Sequence, residues 1–316
     1  MSEIIKLPQQ RRFDLLAFGD PNVDLVFAVD RAPLSDQKIL GRKLGAYAGG
    51  TVANVACAVS LLEHPTLAYG RIGGDDDGRF LADEYRRFGV DTAHLRSVPS
   101  IASSTALIMV ESSGEKALVY APMAGKTLLA SSLEEALAQS RILYATPYDL
   151  EEFKEVHRLS RQAGALIAID VEAVMVPDLS HLQHLIALCD LVFMNDSTYS
   201  SIFRERPRLE TMAELLWHGP QILVVTCGAR GALAVTQSEQ VEQAAFATTV
   251  IDSTGAGDSF NGAFLAALLE GQALAAALRF ACAAGSIAVS ATGARSALPT
   301  RARIKDRLLS MAKKSV

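Results

Sequence analysis

Cysteine is scarce in this 316-residue chain, and its four thiols (Cys57, Cys189, Cys227, Cys282) never pair at metal-ligand spacing. The scatter excludes a disulfide scaffold or a zinc ribbon and reads as buried, reduced thiols of a cytoplasmic protein. Blocks of Lys and Arg are missing as well. With 30 basic residues against 35 acidic, the net charge of −5 has the wrong sign for a general binder of nucleic acid or membrane surfaces. The longest apolar stretches, such as "GAFLAALLEG", are too short to span a bilayer. "MSEIIKLPQQRR" at the start has no apolar signal core, so secretion is not expected. There is no internal repeat and no low-complexity tract. The residues that remain are 50% hydrophobic, ample for a packed interior and too apolar for disorder. The length suits one large domain with a smaller appended piece.

Apolar patterning fills in that outline. After a flexible polar arm over residues 1–12, "FDLLAFGD" reads as a buried strand running into a turn. "TVANVACAVSLLE" is helical, "TLAYGRIG" is a strand, and "DGRFLADEYRRFG" is a helix closed by Gly89. From about Ser131 strands ("RILYAT", "ALIAID", "DLVFMN", "QILVVTCGARGALAV") alternate with helical segments, ending in "FNGAFLAALLEG" and "LAAALRFACAAGSIAVS". Such alternation predicts an α/β fold: a doubly wound, mostly parallel sheet with helices on both faces. Two β-rich segments interrupt it, about 22–47 and 98–122, the second with a hairpin signature at "SSGEK". They are expected to form a small β-sheet lid on one α/β domain over 13–316. Ligands of such sheets sit beyond the carboxyl ends of the strands, so motifs that follow strands carry most weight.

"DSTGAGDSFNGAF", from Asp252, is the motif that carries chemistry. Gly255 and Gly257 let the backbone approach a ligand, and the following helix offers free amides and the positive end of its dipole. A phosphate suits that turn, although a tight turn capped by Asp258 would look the same. Beside an anion, however, a carboxylate repels unless it has a proton to accept. Phosphoryl transfer to an alcohol supplies one, with Gly255, Ala256 and Gly257 as the anion hole and Asp258 as the base.

Other motifs fail on their own terms. "AGKT" (124–127) has Tyr120 where a P-loop needs its first glycine, and no strand-to-helix unit is expected around it. "GDSFN" ends in Asn261 where a nucleophile elbow requires Gly. His181 and His184 of "HLQH" have no third metal ligand in view, and "GGDDDG" lacks calcium-loop spacing.

These residues resemble the ribokinase-like (PfkB) family of carbohydrate kinases over nearly the whole chain. "DSTGAGDSFNGAF" is similar to its C-terminal signature and "AGGTVANVACAVSLL" to its N-terminal one. "RIGGDDDG", "VVTCGARGA" and "ATGARSALPT" fall in the expected order. The resemblance implies ATP and Mg2+ as cofactors and a sugar as acceptor. It puts Asn22, Asp24, Gly49, Gly50 and Asn54 at the sugar. Thr226, Gly228, Arg230 and Gly231, with Asn195 and Cys282, are assigned to the nucleotide. Asp252, Thr254, Ser290 and Gly293 are implied as a monovalent-cation site, with K+ the candidate. Each has a plainer reading: strand-end turns, a hairpin turn, a core cysteine.

One position departs from the family pattern. The family's Asn-x-x-Glu, whose Glu helps hold magnesium, has become Asn195-x-x-Thr198, and a neutral hydroxyl cannot supply that charge. Asp196 or Asp170 is then the candidate replacement, unless the nucleotide itself holds the metal. The expectation is a cytoplasmic sugar kinase, paired through its lids as a homodimer. A nucleoside kinase is the alternative, with Tyr47 or Tyr120 as platform, and so is a weakly catalytic nucleotide- or sugar-binding regulator. A sugar phosphate would need clustered cations, for which the lid offers Arg42 and Lys43.

Overall fold

The computed structural model describes residues 4–113 and 115–312. The chain opens with β1 (Phe13–Phe18), β2 (Asn22–Val29), β3 (Gly41–Gly49), α1 (Thr51–Leu61), β4 (Thr66–Gly73), α2 (Asp76–Arg87) and β5 (Asp91–Val98). It continues with β6 (Ser104–Glu111), β7 (Lys116–Ala121), α3 (Ala130–Ala138), β8 (Ser140–Ala145), α4 (Leu150–Ala163), β9 (Leu166–Val171) and α5 (Leu179–Ile186). Next are β10 (Leu191–Asn195), α6 (Asp196–Phe203), α7 (Leu209–Leu215), β11 (Ile222–Thr226), β12 (Ala232–Thr236) and β13 (Gln240–Gln243). Three helices close it: α8 (Ala256–Leu269), α9 (Leu274–Ala288) and α10 (Arg301–Ala312).

Nine strands form one sheet in the order β13-β12-β11-β10-β9-β8-β1-β4-β5, parallel except at β12 and β13. Because strand side chains alternate between faces, each strand feeds two cores. Leu15, Ala17, Phe193 and Val224 pack under α1, α8 and α9, while Leu16, Phe18, Val192 and Val225 meet α3, α4, α5 and α7. This is the doubly wound sheet that the alternation predicts. β5, β13, α6 and α10 were not legible in advance. Two are edge strands mixing polar with apolar residues, and the two helices are rich in hydroxyl or charged side chains.

The two interrupting segments form a separate four-stranded sheet in the order β3-β2-β6-β7. β2–β3 and β6–β7 are antiparallel, but β2 and β6 pair in parallel from Asn22↔Ser104 to Val29↔Glu111, so the sheet is mixed. Gly114 of the expected hairpin turn lies outside the described residues, as do residues 1–3 of the expected arm. Residues 4–12 lie against the main body: Ile5 is buried, and the Pro8 carbonyl accepts from Arg141 Nε at 3.1 Å. An arm carrying apolar residues packs rather than waving free.

Asp20 and Arg71 anchor the small sheet at its root. Asp20 accepts from the Arg71 backbone and guanidinium at 2.7 Å, and the guanidinium donates to the carbonyls of Ala124 and Gly125 beyond β7. "AGKT" therefore does lie between a strand and a helix, contrary to expectation. Tyr120 still stands where a P-loop needs glycine, and the Gly125 carbonyl is held by Arg71.

α1 and α8 approach unusually closely because both carry small residues. A Cβ on Gly262 would stand 2.7 Å from the Ala58 Cβ, nearer than two such atoms come. One helical turn earlier on each helix stand Asn54 and Asp258, since residues four apart share a helix face.

Candidate active site

At the mouth of α8 the helix crossing becomes chemistry. Asn54 Nδ2 donates to Asp258 Oδ2 at 2.6 Å. Arg295 Nε in turn donates to Asn54 Oδ1 at 2.8 Å, and its Nη2 donates to the Gly49 carbonyl at 2.9 Å. Arg295 is 7% exposed, and it fixes the Asn54 amide so that the nitrogen faces the carboxylate. Sequence reasoning missed Arg295, although it lies inside the quoted "ATGARSALPT". A guanidinium among small residues was the available signal.

Gly255 begins α8 at φ +74°, and a Cβ there would collide with Ala294. Only glycine satisfies both demands. The Ala256 amide is taken by the Ser253 carbonyl at 3.2 Å. The amides of Gly257 and Asp258 receive no partner from the described residues, and open space lies beside Gly257. Two free amides and a carboxylate thus share one bend.

The acceptor candidates gather on the other side of that carboxylate. Asn22 Nδ2 donates to Asp24 Oδ1 at 2.6 Å at the start of β2. A Cβ on Gly49 would stand 2.3 Å from Asp24 Oδ2, so the bare glycine leaves room for the acid. Gly50, at φ +95°, leads into α1 and so to Asn54. Asn22, Asp24, Gly49, Gly50, Asn54 and Asp258 form one neighbourhood drawn from β2, β3, α1 and α8. Burial pushes Asp24 above the usual carboxylate range, against the pull of Asn22 and Arg295.

A cavity of about 430 Å³ opens beside it, at the carboxyl ends of β9, β10 and β11. Asn195, Thr226, Gly257 and Asp258 line it, together with Asp170 and Glu172. Glu172 was not anticipated. It lies two residues past Asp170 at the end of β9, the spacing that puts two side chains on one face. Tyr148 donates to its Oε2 at 2.9 Å. Asp170 accepts from Asn261 Nδ2 at 3.0 Å, and Asn261 Oδ1 is enclosed with no partner among the described residues. Of the two candidates to replace the family glutamate, Asp170 lines this cavity. Asp196 does not: it is paired with Arg230 at 2.8 Å outside. Thr198 lines the cavity too, its amide capped by Asn195 Oδ1 at 2.8 Å.

The remaining nucleotide candidates are more dispersed. Gly228, Arg230 and Gly231 form the tight turn between β11 and β12, directly after Thr226. Cys282 is buried on α9 against the Gln243 carbonyl and is not part of the cavity wall. Asp252 and Thr254 are held by Lys116 of β7, Gly293 donates to Asp252 Oδ2 at 2.9 Å, and Ser290 bonds the Ile287 carbonyl at 2.7 Å. Arg42 and Lys43 are exposed toward the far end of β3, paired with Ala28 and Phe27. His181 and His184 are exposed on α5, and no group of three or more metal-ligating side chains is assembled among the described residues.

Electrostatically the cavity is an acid nest. Burial lifts Asp258 from 3.8 to about 7; Asn54 and Arg295 oppose the rise, and Glu172 and Asp24 add to it. Burial, then the charges of Asp258 and Glu172, push Asp170 well above its ordinary value. Burial raises Glu172 as well. A carboxyl poised near neutrality is suited to take a proton.

Comparison with known proteins identifies the family and the fold. The family model for the pfkB family carbohydrate kinases matches residues 12–301. A ribokinase of Haemophilus influenzae is 27% identical over 299 residues, covering 92% of this chain and 96% of that one. Fructokinase-2 of Solanum habrochaites is 26% identical over 309 residues, covering 90% and 93%. The structure of Arabidopsis thaliana ribokinase complexed with ribose and ATP superposes with a TM-score of 0.82 at 25% identity, over 94% of this chain and 98% of that one.

Carbon-detected NMR titration of the side-chain carboxyls should give Asp258 a midpoint near 7. Asn54 stabilises the ionised form, so Asn54→Ala should move that midpoint upward. A midpoint near 3.8, or a downward move in the variant, would contradict the geometry.

Proposed function

The chain belongs to the pfkB family of carbohydrate kinases, and from that membership we propose that it moves the γ-phosphoryl group of ATP to a primary hydroxyl of a sugar or sugar-like alcohol. The observation that carries this reading is the shared bend: Asp258, bonded to Asn54 at 2.6 Å, beside the free amides of Gly257 and Asp258. ATP lies with its phosphates over the cavity and its nucleoside toward Thr226 and the turn of Gly228, Arg230 and Gly231. Asn22 and Asp24 receive the hydroxyls of the acceptor, and Gly49 and Gly50 let it come close. The acceptor oxygen gives its proton to Asp258 and forms a bond to the γ-phosphorus. The bond from that phosphorus to the β–γ bridging oxygen breaks, and ADP leaves with the electron pair. The amides stabilise charge on the moving group, and Asn54 with Arg295 holds the base in line.

Magnesium fits the acidic wall. Asp170 and Glu172 are the side chains that would hold it alongside the phosphates, and the orphaned Asn261 Oδ1 beside them suits a bound, hydrated group. When bound, the ion neutralises phosphate charge. Glu172 thereby answers the charge missing at Thr198, which favours an enzyme over a binding regulator. The small sheet acts as a lid that excludes water from the site.

A nucleoside is the second acceptor class, favoured by one observation. Tyr120 of the small sheet and Tyr148 have ring centroids 6.1 Å apart, and the Tyr148 hydroxyl is bonded to Glu172. Two rings beside the acid nest could seat a base. Tyr47, the other platform candidate, is instead folded toward Gly45 and Gly293. A sugar phosphate is not favoured, because Arg42 and Lys43, the cations the lid offers, stand exposed toward the far end of β3.

The small sheet also leaves Leu118 and Val119 exposed by 58 and 59% on its edge strand β7, and Leu40 by 89% just before β3 at the opposite edge. Such an edge supports a homodimer through the lids. No helix among the described residues is long and apolar enough to cross a membrane. We place the protein in the cytoplasm, where its four unpaired cysteines stay reduced.

ADP release measured over a panel of sugars and nucleosides tests the function. Turnover stimulated by one acceptor class is expected, and Asp258→Asn should lower it by about a hundredfold or more while ATP still binds. ATP binding without any stimulated turnover would instead support the regulator. The expected mass in solution is twice the 33.7 kDa chain, by light scattering, and a single-chain mass would remove the dimer.

A further inference from the structure

Lys116 is the first residue of β7, on the small sheet, yet its side chain ends in a loop of the main body. Its Nζ lies 2.7 Å from Asp252 Oδ1 and 2.6 Å from Thr254 Oγ1. Thr254 donates to the same Oδ1 twice, from its amide at 2.9 Å and its hydroxyl at 2.7 Å. Asp252 Oδ2 accepts the Gly293 amide at 2.9 Å. Asp252 and Thr254 are two of the residues that the family resemblance assigns to a monovalent cation, and here a lysine ammonium of this chain meets the side chains of both.

The residues fit a free cation poorly for that reason. Oδ1 already receives three donors and Oδ2 one, and the carboxylate's charge is matched by Lys116. A potassium ion brought to the same loop would meet an ion pair without net charge in place of a free carboxylate. Asp252 behaves as a committed partner. Burial pushes its carboxyl up, but Lys116, Gly293 and Thr254 together hold it well below the usual range.

Resting on the kinase reading, we infer that Lys116 serves as a built-in cation, tethering the loop from Asp252 to Gly255 so that the Gly257 and Asp258 amides face the cavity without an added alkali ion. The loop is short: Thr254 precedes Gly255, whose φ of +74° sets the start of α8. Anything that pins Asp252 and Thr254 also pins the anion-binding turn. Lys116 is a positioning residue, since it touches neither phosphate nor acceptor. Because it belongs to the small sheet, the same contact ties lid to turn, and the turn is fully braced only with the lid strand in place.

The test uses the full-length protein and its Lys116→Ala variant in buffers whose only alkali cation is Li+ or K+. Parental turnover should be the same in both. The variant should lose about tenfold or more in Li+ and regain most of it in K+ or ammonium, ions near the size of the lost group. Thermal midpoints should follow the same pattern, with K+ raising only the variant. Parental turnover or midpoint that depends on K+ would overturn the inference. So would a folded variant as active as the parent in Li+, or one that K+ and ammonium fail to rescue. If the alanine variant does not fold, Lys116→Met keeps the volume without the charge, and an unimpaired Lys116→Met in Li+ overturns the inference equally. The thermal comparison needs no acceptor. A chain that turns over nothing would sink the kinase reading and still leave this one decided by the midpoints.

Discussion

Ala58 and Gly262 meet where α1 crosses α8, so tightly that one added methyl on Gly262 has nowhere to go. That contact sets the distance between two helices whose previous turns carry Asn54 and Asp258. Protein interiors are close-packed, so a bulkier pair would push the helices apart and move the whole crossing. The 2.6 Å bond between Asn54 and Asp258 is therefore a packing result before it is an electrostatic one. Gly50 also caps the start of α1, directly after the sheet strand that ends in Gly49. One crossing thus brings Asp24 and its neighbours together with Asp258.

Charge is then arranged around that geometry. Asp24, Asp170, Glu172 and Asp258 crowd a partly enclosed space, and burial raises all four. Left alone, such a nest would favour neutral acids and bind no anion. The opposing elements are placed with economy: Arg295 beneath Asn54, Lys116 on Asp252, and the two free amides at the start of α8. On the proposed reading, a triphosphate carrying its metal ion would complete that balance, since it brings positive as well as negative charge.

Much of this was legible in the residues. The strand–helix alternation announced the doubly wound sheet, because strands buried on both faces must be apolar throughout. Gly255, Gly257 and Asp258 could be read as one bend suited to an anion beside a proton acceptor, although a tight turn capped by an acid has the same local pattern. The small sheet was visible as two interruptions, but its parallel β2–β6 pairing was not; register between distant segments leaves no local mark. Glu172 and Arg295 were missed for a related reason. Each matters through partners far along the chain, Glu172 through Tyr148 and Thr51, and Arg295 through Asn54 and Gly49. The role of Lys116 was hidden the same way, by a separation of 136 positions from Asp252.

A structure of the protein with its acceptor and a non-hydrolysable ATP analogue tests the central claim most directly. The acceptor's primary hydroxyl should lie within hydrogen-bond reach of Asp258 and in line with the γ-phosphorus, whose oxygens meet the Gly257 and Asp258 amides. A hydroxyl bound away from Asp258, or phosphates seated elsewhere than at the head of α8, would contradict it.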